Sequence, residues 1–417
     1  SCLALLFLCT PVVQVQAVMV SEDSEDNNFK VILAQQNNFA LKFCSEITKA
    51  EISERSFENI FVSPFSLTMA LDLVLNATAG KTKNELLRVM NIPGKSLKKI
   101  NDTNKRLIEN LSTWNIIEDA NPKTMFTLEI ANGFWLNAGF TILPEYKNLV
   151  EKYYYAQFSV LDFLDEQAAN QINDWVSIKT HDKITKLISA EDLQGMVMLL
   201  ANATYFKGQW EMPFSLSLTD NNQRFHSWSG NLEGEVISMM KKDHQGALPY
   251  WEDKKVQVVE MPYSDSTVSA YVILPRKEGH RAYMDEGERI WTSEFWRKLD
   301  NEMVAREGIL SLPKFKFEYN KTLNDDLMRL GITSIFGDDA DFSNLTSGKV
   351  QLSTVLQKTF VSVDEYGTEA AAVSGGVFTT SVSDEIPFEM FVNRPFYFII
   401  REKNSGSFLF AGAITKP

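Results

Sequence analysis

The residue types that do chemistry are few and scattered along this chain. Its four histidines, His181, His226, His244 and His280, show no H-E-x-x-H spacing and have no cysteine partners. That is the pattern of surface histidine rather than of a metal site. No G-x-S-x-G nucleophile elbow and no phosphate-cradling glycine loop is present. The chain therefore reads as a non-enzyme with no cofactor. The unusual segment is residues 362–393. It contains Gly367-Thr368-Glu369-Ala370-Ala371-Ala372-Val373, a run dominated by small residues, and no Lys or Arg falls between Ala370 and Asn393. A connection this long is uncommon inside a compact domain and is usually functional or disordered. Against plain disorder, the stretch keeps β-branched residues, lacks lysine and has no proline before Pro387. Read as a latent strand, it puts Thr368, Ala370, Ala372, Ser374 and Gly376 on one face, while Glu369 turns the other face to water. Small inward side chains can enter between existing strands without overpacking.

The elements that must position this segment follow from the hydrophobic pattern. Helical spacing occurs at residues 38–49, 66–75, 83–90, 97–111, 145–155, 166–179 and 323–330. Strand patterns occur at 127–136, 196–206, 256–261, 268–274, 308–312 and 315–318. Two further strands, 396–401 and 408–413, form a hairpin across residues 404–406. Helices first and strands later give an α+β architecture. The 417 residues are 44% apolar and 12% aromatic, ample for one large domain over residues 31–417. The net charge of −13 disfavours nucleic acid as a partner.

Residues 1–17, with the apolar run 3–8 and the small-residue end Val15-Gln16-Ala17, have the form of a signal peptide truncated at its start; a core helix is the alternative. The acidic residues after it make 18–30 a flexible lead-in. No other apolar run is long enough to span a bilayer, so no membrane association is expected. A secreted, extracellular protein follows. Of Cys2, Cys9 and Cys44, only Cys44 lies beyond the leader, where it reads as a small buried hydrophobe rather than a nucleophile. Six N-x-Ser/Thr sequons occur. Asn76 and Asn202 stand in apolar surroundings, which leaves Asn101, Asn110, Asn320 and Asn344 as the expected glycosylation sites.

Several separate motifs, in order along nearly the whole mature chain, resemble those of the inhibitory serpins, a serine protease inhibitor family. The run from Gly367 to Val373 resembles their hinge. Asn59-Ile60-Phe61-Val62-Ser63-Pro64-Phe65-Ser66 resembles their shutter signature, and Asn202-Ala203-Thr204-Tyr205-Phe206-Lys207-Gly208-Gln209-Trp210 their central strand and breach. Ile172-Asn173-Asp174-Trp175-Val176, Leu312-Pro313-Lys314-Phe315, Asn393-Arg394-Pro395-Phe396 and Phe410-Ala411-Gly412 fit the rest. The resemblance implies three β-sheets, about nine helices and an exposed reactive-centre loop over about residues 365–392. It implies a monomer that traps a serine protease as a covalent acyl complex while the cleaved loop inserts into the main sheet. The family's loop length puts the cut between Ser381 and Val382, with Thr380 as an alternative. The absence of Lys and Arg argues against a trypsin-like pocket, and small residues suit an elastase-like one. A chymotrypsin-like protease cutting after Phe378 is the second choice.

By the same resemblance, Ser63, Ser66, Asn202 and Gln357 line the shutter. Many members have His where this chain has Gln357. Trp210, Lys314 and Glu365 belong to the breach, the last two as an ion pair. Gly375 and Gly376 add flexibility that slows insertion. Lys95, Lys98, Lys99, Lys105 and Arg106 lie where some members bind a heparin-like glycosaminoglycan; the alternative is a solvated face balanced by Asp102 and Glu109. The competing function is a non-inhibitory serpin, a carrier or chaperone. Such members often have charged, proline or bulky hinge residues, which are missing here.

Overall fold

A computed structural model describes residues 12–53, 58–92, 96–113, 126–227, 234–244, 246–264, 267–368 and 386–417. Local signals start several elements. Ser63 caps the helix that follows it, accepting from Ser66 N at 3.3 Å, and Pro64 fills the first helical position. Asp165 caps a later helix through Gln167 N, and Ser189 with Asp192 forms a capping box.

The first helices are α1 (Val12–Ser53), α2 (Pro64–Ala77), α3 (Gly80–Val89), α4 (Leu97–Thr113) and α5 (Pro144–Tyr154). After them come α6 (Glu166–Lys179), α7 (Ala190–Leu193), α8 (His280–Ile290), α9 (Ser293–Glu302) and α10 (Asn324–Arg329). The strands begin with β1 (Ile60–Val62), β2 (Phe126–Asn137), β3 (Gln157–Leu161), β4 (Met198–Gln209), β5 (Asp220–Phe225) and β6 (Glu235–Asp243). Next are β7 (Leu248–Glu252), β8 (Val256–Pro262), β9 (Val268–Pro275), β10 (Val304–Arg306), β11 (Gly308–Pro313) and β12 (Phe315–Thr322). The last are β13 (Thr354–Val363), β14 (Gly367–Thr368), β15 (Phe388–Phe391), β16 (Phe396–Glu402) and β17 (Phe408–Ile414).

The strands form three sheets. The six-stranded sheet has the order β12-β13-β14-β4-β2-β3, the seven-stranded sheet β1-β17-β16-β9-β8-β7-β10, and the four-stranded sheet β15-β11-β6-β5. The α+β class is as expected, with ten α-helices among the described residues. Helix α1 reaches back to Val12, so the backbone of 18–30 is helical rather than a flexible lead-in. No proline or glycine falls between Val12 and Ser53 to stop it.

The six-stranded sheet is covered on both faces. On one, Ile172 and Val176 of α6 pack with Leu199, Ala201 and Ala203 of β4 and with Leu356 and Phe360 of β13. On the other, α2 is buried along its whole length and packs on β2 and β4. A central strand between two such layers must be apolar on both faces, and β4 is buried at nearly every position. Cys44 is buried in the core beside Ile47, and burial pushes its thiol up, away from reactivity.

Phe61 of β1 ties two sheets together. It stacks on Phe410 of β17, with centroids 5.2 Å apart, and meets Phe317 of β12 edge-on at 6.1 Å. Phe61→Ala is expected to destabilise the native fold by about 3–5 kcal/mol, read by urea unfolding followed through tryptophan fluorescence. An unchanged midpoint would contradict this packing.

Candidate functional site

Strands β4 and β13 run parallel and pair directly from Leu199↔Thr354 to Thr204↔Thr359. Above that point they part, and β14 lies between them. Thr368 pairs with Gly208 on one side and with Val363 on the other, and Gly367 pairs with Gln209. The turn that brings the chain back is built at 364–367. Asp364 N donates to Gly367 O at 2.9 Å, and Asp364 Oδ1 accepts from Tyr366 N and Gly367 N at 2.9 and 3.2 Å. A Cβ at Gly367 would lie 2.0 Å from the Gly208 carbonyl oxygen, so only glycine allows this approach. The first two hinge residues are thus already rungs of the sheet. The rest of the hinge (Glu369, Ala370, Ala371, Ala372 and Val373), the expected scissile positions Thr380, Ser381 and Val382, and Lys95 lie outside the described residues.

Below the split sits a row of buried amides. Asn132 of β2, Asn202 of β4 and Gln357 of β13 are cross-strand partners in register. Gln357 Nε2 donates to Asn202 Oδ1 at 2.8 Å, and Asn202 Nδ2 donates to Asn132 Oδ1 at 2.7 Å. Helix α2 closes the row from beneath. Ser63 N donates to Gln357 Oε1 and Gln357 Nε2 donates to Ser63 O, both at 2.9 Å, while Asn202 Nδ2 also donates to Ser66 Oγ. Ser63 Oγ in turn donates to Leu409 O at 2.7 Å. All four expected shutter residues therefore meet. Asn132 and the Leu409 carbonyl were not expected from the sequence; the period-2 alternation of β2, aligned against β4, is the signal that would have found Asn132.

The breach caps the split from above. Lys314 Nζ lies 2.8 Å from Glu365 Oε2, and Thr219 Oγ1 donates to Glu365 Oε1 at 2.8 Å. Burial alone pushes the Glu365 carboxyl up, but Lys314, Thr219 and a backbone N–H outweigh it and hold the group below the usual range. Trp210 donates through Nε1 to Asp364 O at 3.1 Å and through its backbone N to Tyr366 O at 2.8 Å. Its ring stacks on Tyr263 at 4.6 Å, and the Tyr263 hydroxyl meets Thr368 Oγ1 at 2.7 Å.

One sequence expectation is altered. Asn101 is buried, donating to Asn76 Oδ1 at 3.0 Å and accepting from Tyr154 OH at 2.6 Å, so it is no glycan acceptor. It lies on the inner face of α4, where other buried polar groups satisfy it. Asn110, Asn320 and Asn344 are exposed, although Asn344 Nδ2 donates to Thr78 O at 2.8 Å. Two members of the basic cluster are paired with the acidic residues that the solvated-face alternative named. Lys98 pairs with Asp102 and Lys105 with Glu109, each one turn on, and Arg106 covers the Phe29 ring at 4.2 Å. Lys99 is exposed.

The family model "Serpin (serine protease inhibitor)" matches residues 34–417. The chain belongs to the serpin family, a family of serine protease inhibitors and not of enzymes, although not every member inhibits. Human Serpin B3 is 32% identical over 374 residues, covering 86% of this chain and 94% of that protein. Human leukocyte elastase inhibitor is 31% identical over 396 residues, covering 92% and 100%. Among solved structures, human thyroxine-binding globulin complexed with its hormone superposes with a TM-score of 0.79 at 26% identity, covering 93% of this chain and 99% of that one.

Gln357→Leu leaves the buried Ser63 N–H without its acceptor and is expected to cost about 1–3 kcal/mol of native stability, read by thermal melting. Because its folded-state pKa is depressed, Glu365 contributes stability at pH values above its ordinary 4.5 and loses it as pH falls through the folded value. The melting temperature of Glu365→Gln should therefore lie below that of the parent at pH 7, the gap closing on acidification. A gap that is constant with pH would exclude the ion pair as its cause.

Proposed function

We propose that this chain inhibits a serine protease as a suicide substrate. The observation that carries the reading is the return of Gly367 and Thr368 into the sheet between β4 and β13, directly above the closed row of amides. A strand already begun can continue once its far end is released and the amide row below it parts. In the proposed reaction the protease serine Oγ adds to the carbonyl carbon of Ser381. The bond to the Val382 nitrogen breaks, that nitrogen leaves with a proton, and an ester links protease to inhibitor. About fourteen residues, at roughly 3.3 Å each, then zip downward and carry the ester some 45–50 Å. Stored strain in the native state drives the motion.

An elastase-like target is the favoured one. The segment around Ser381 offers small side chains and no cation, and a relative named leukocyte elastase inhibitor aligns over nearly the whole chain. A chymotrypsin-like protease cutting after Phe378 comes second. The thyroxine-binding neighbour shares the fold, so the fold alone does not separate inhibitor from carrier. The small-residue hinge favours the inhibitor. The same reading takes the protein as a secreted monomer, with Asn110 and Asn320 as its accessible sequons and no need of a glycosaminoglycan.

Mixing with neutrophil-type elastase and with chymotrypsin should give a band stable to denaturing electrophoresis at the summed mass. Cleaved inhibitor and free protease alone, across a panel of proteases, would contradict the proposal. Thr368→Arg buries a cation beside Tyr263. It should reduce the trapped fraction by about tenfold or more while cleavage continues, the usual outcome of blocking insertion rather than recognition.

A further inference from the structure

Helices α1, α2, α4 and α5 meet around a polar network that the trapping reaction does not use. Its centre is Asp72 of α2, which is fully buried. Two amides donate to one of its oxygens: Gln36 Nε2 of α1 at 3.0 Å and Asn104 Nδ2 of α4 at 2.8 Å, both to Oδ2. Gln36 Nε2 also donates to Asn104 Oδ1 at 2.7 Å, and Asn104 Nδ2 lies 3.2 Å from the Tyr154 hydroxyl of α5. That hydroxyl continues to Asn101, and Asn101 to Asn76 of α2, which donates back to the Asp72 carbonyl at 2.7 Å.

The network has too few hydrogens. Asp72 Oδ1 and Gln36 Oε1 are both buried acceptors with no donor. A proton on Oδ1 would convert an acceptor into a donor and remove the charge in one step. Among the described residues, the causes that shift Asp72 are burial and the two amide donors, with no cation among them. The groups at the Asp72 carboxyl are Gln36 from α1 and Asn104 from α4, with the Tyr154 phenol of α5 next to Asn104; Asn76 meets only the Asp72 backbone carbonyl, Asn101 lies one contact further out, and the Tyr146 phenol donates to Leu73 O; both phenols are pushed up by burial and stay neutral. Burial outweighs the two amide donors and pushes the Asp72 carboxyl up to about 7.

Helix α2 carries the shutter serine Ser66 and is capped by the other, Ser63, and it packs on β2 and β4. We propose that Asp72 is a proton-binding site that locks α2 in place: with the proton bound the four helices hold together, and without it the native sheet opens more readily. The folded-state pKa is raised, so this stability is fully present below the ordinary value of 3.8 and is lost as pH rises through about 7. The coupling to sheet opening rests on the inhibitory reading; the stability effect does not.

The test is urea unfolding of the uncleaved protein and of Asp72→Asn from pH 6 to pH 8. The parent's native-to-unfolded ratio should fall about tenfold relative to that of the variant. Parallel profiles would overturn the proposal. If Asp72→Asn fails to fold, infrared titration of the carboxyl in the parent decides: a buried C=O stretch lost with a midpoint near 7 supports the site, and a midpoint near 3.8 overturns it. Annealing of a synthetic peptide copying residues 368–381 should be several-fold faster at pH 8 than at pH 6 in the parent, and independent of pH in the variant. Equal pH dependence in both would break the link to the shutter while leaving the inhibitory reading to its own gel assay.

Discussion

One seam governs this molecule, the line between β4 and β13. Below Thr204 and Thr359 the two strands are bonded directly, and above it they are held apart by two residues of β14. The seam cannot open further without separating Gln357 from Asn202, and buried amides are costly to leave unpaired. Ser66 of α2 and its cap Ser63 add to that restraint from beneath the sheet. The sheet is therefore closed by polar contacts at one level and already divided at the next. An incoming strand would replace the lost contacts with backbone ladders on both of its edges.

Stability at this seam answers to pH in opposite senses from its two ends. At the breach, Glu365 holds its charge beside Lys314 and loses its contribution in acid. Beneath the sheet, Asp72 is destabilising once ionised, and this penalty sets in as pH rises. The two act on different parts of the same opening. Glu365 sits where β14 begins, and Asp72 sits on the helix that closes the amide row. A native state with a buried charge problem on one side and an unfinished strand on the other is well suited to rearrange on a signal.

Much of this was legible in the residues. Gly367 and Thr368, the start of the run that the sequence marks as a latent strand, do form one. The shutter was legible from Ser63, Ser66, Asn202 and Gln357, and the breach pair from Lys314 and Glu365. What escaped has physical reasons. Strands β5 and β6 carry polar or mixed patterns, such as Asp220–Phe225, because many of their positions meet water, and β7 is only five residues long. Helices α8 and α9 are short, and each carries only three or four apolar positions, too few to fix a helical period by pattern alone. Asn101 looked like a surface residue, and Asp72 stood unnoticed in an apolar helix. Each is explained only by partners on other helices that local patterning does not reveal.

The central claim is that severing the loop lets the chain beyond Thr368 become a full strand between β4 and β13. A crystal structure of the protein nicked near Ser381 tests it most directly. The account requires residues following Thr368 to pair with β4 and β13 down to the level of Leu199 and Thr354, with the Asn202–Gln357 contact broken. A nicked molecule that keeps the direct β4–β13 ladder, with the severed segment outside the sheet, would contradict it.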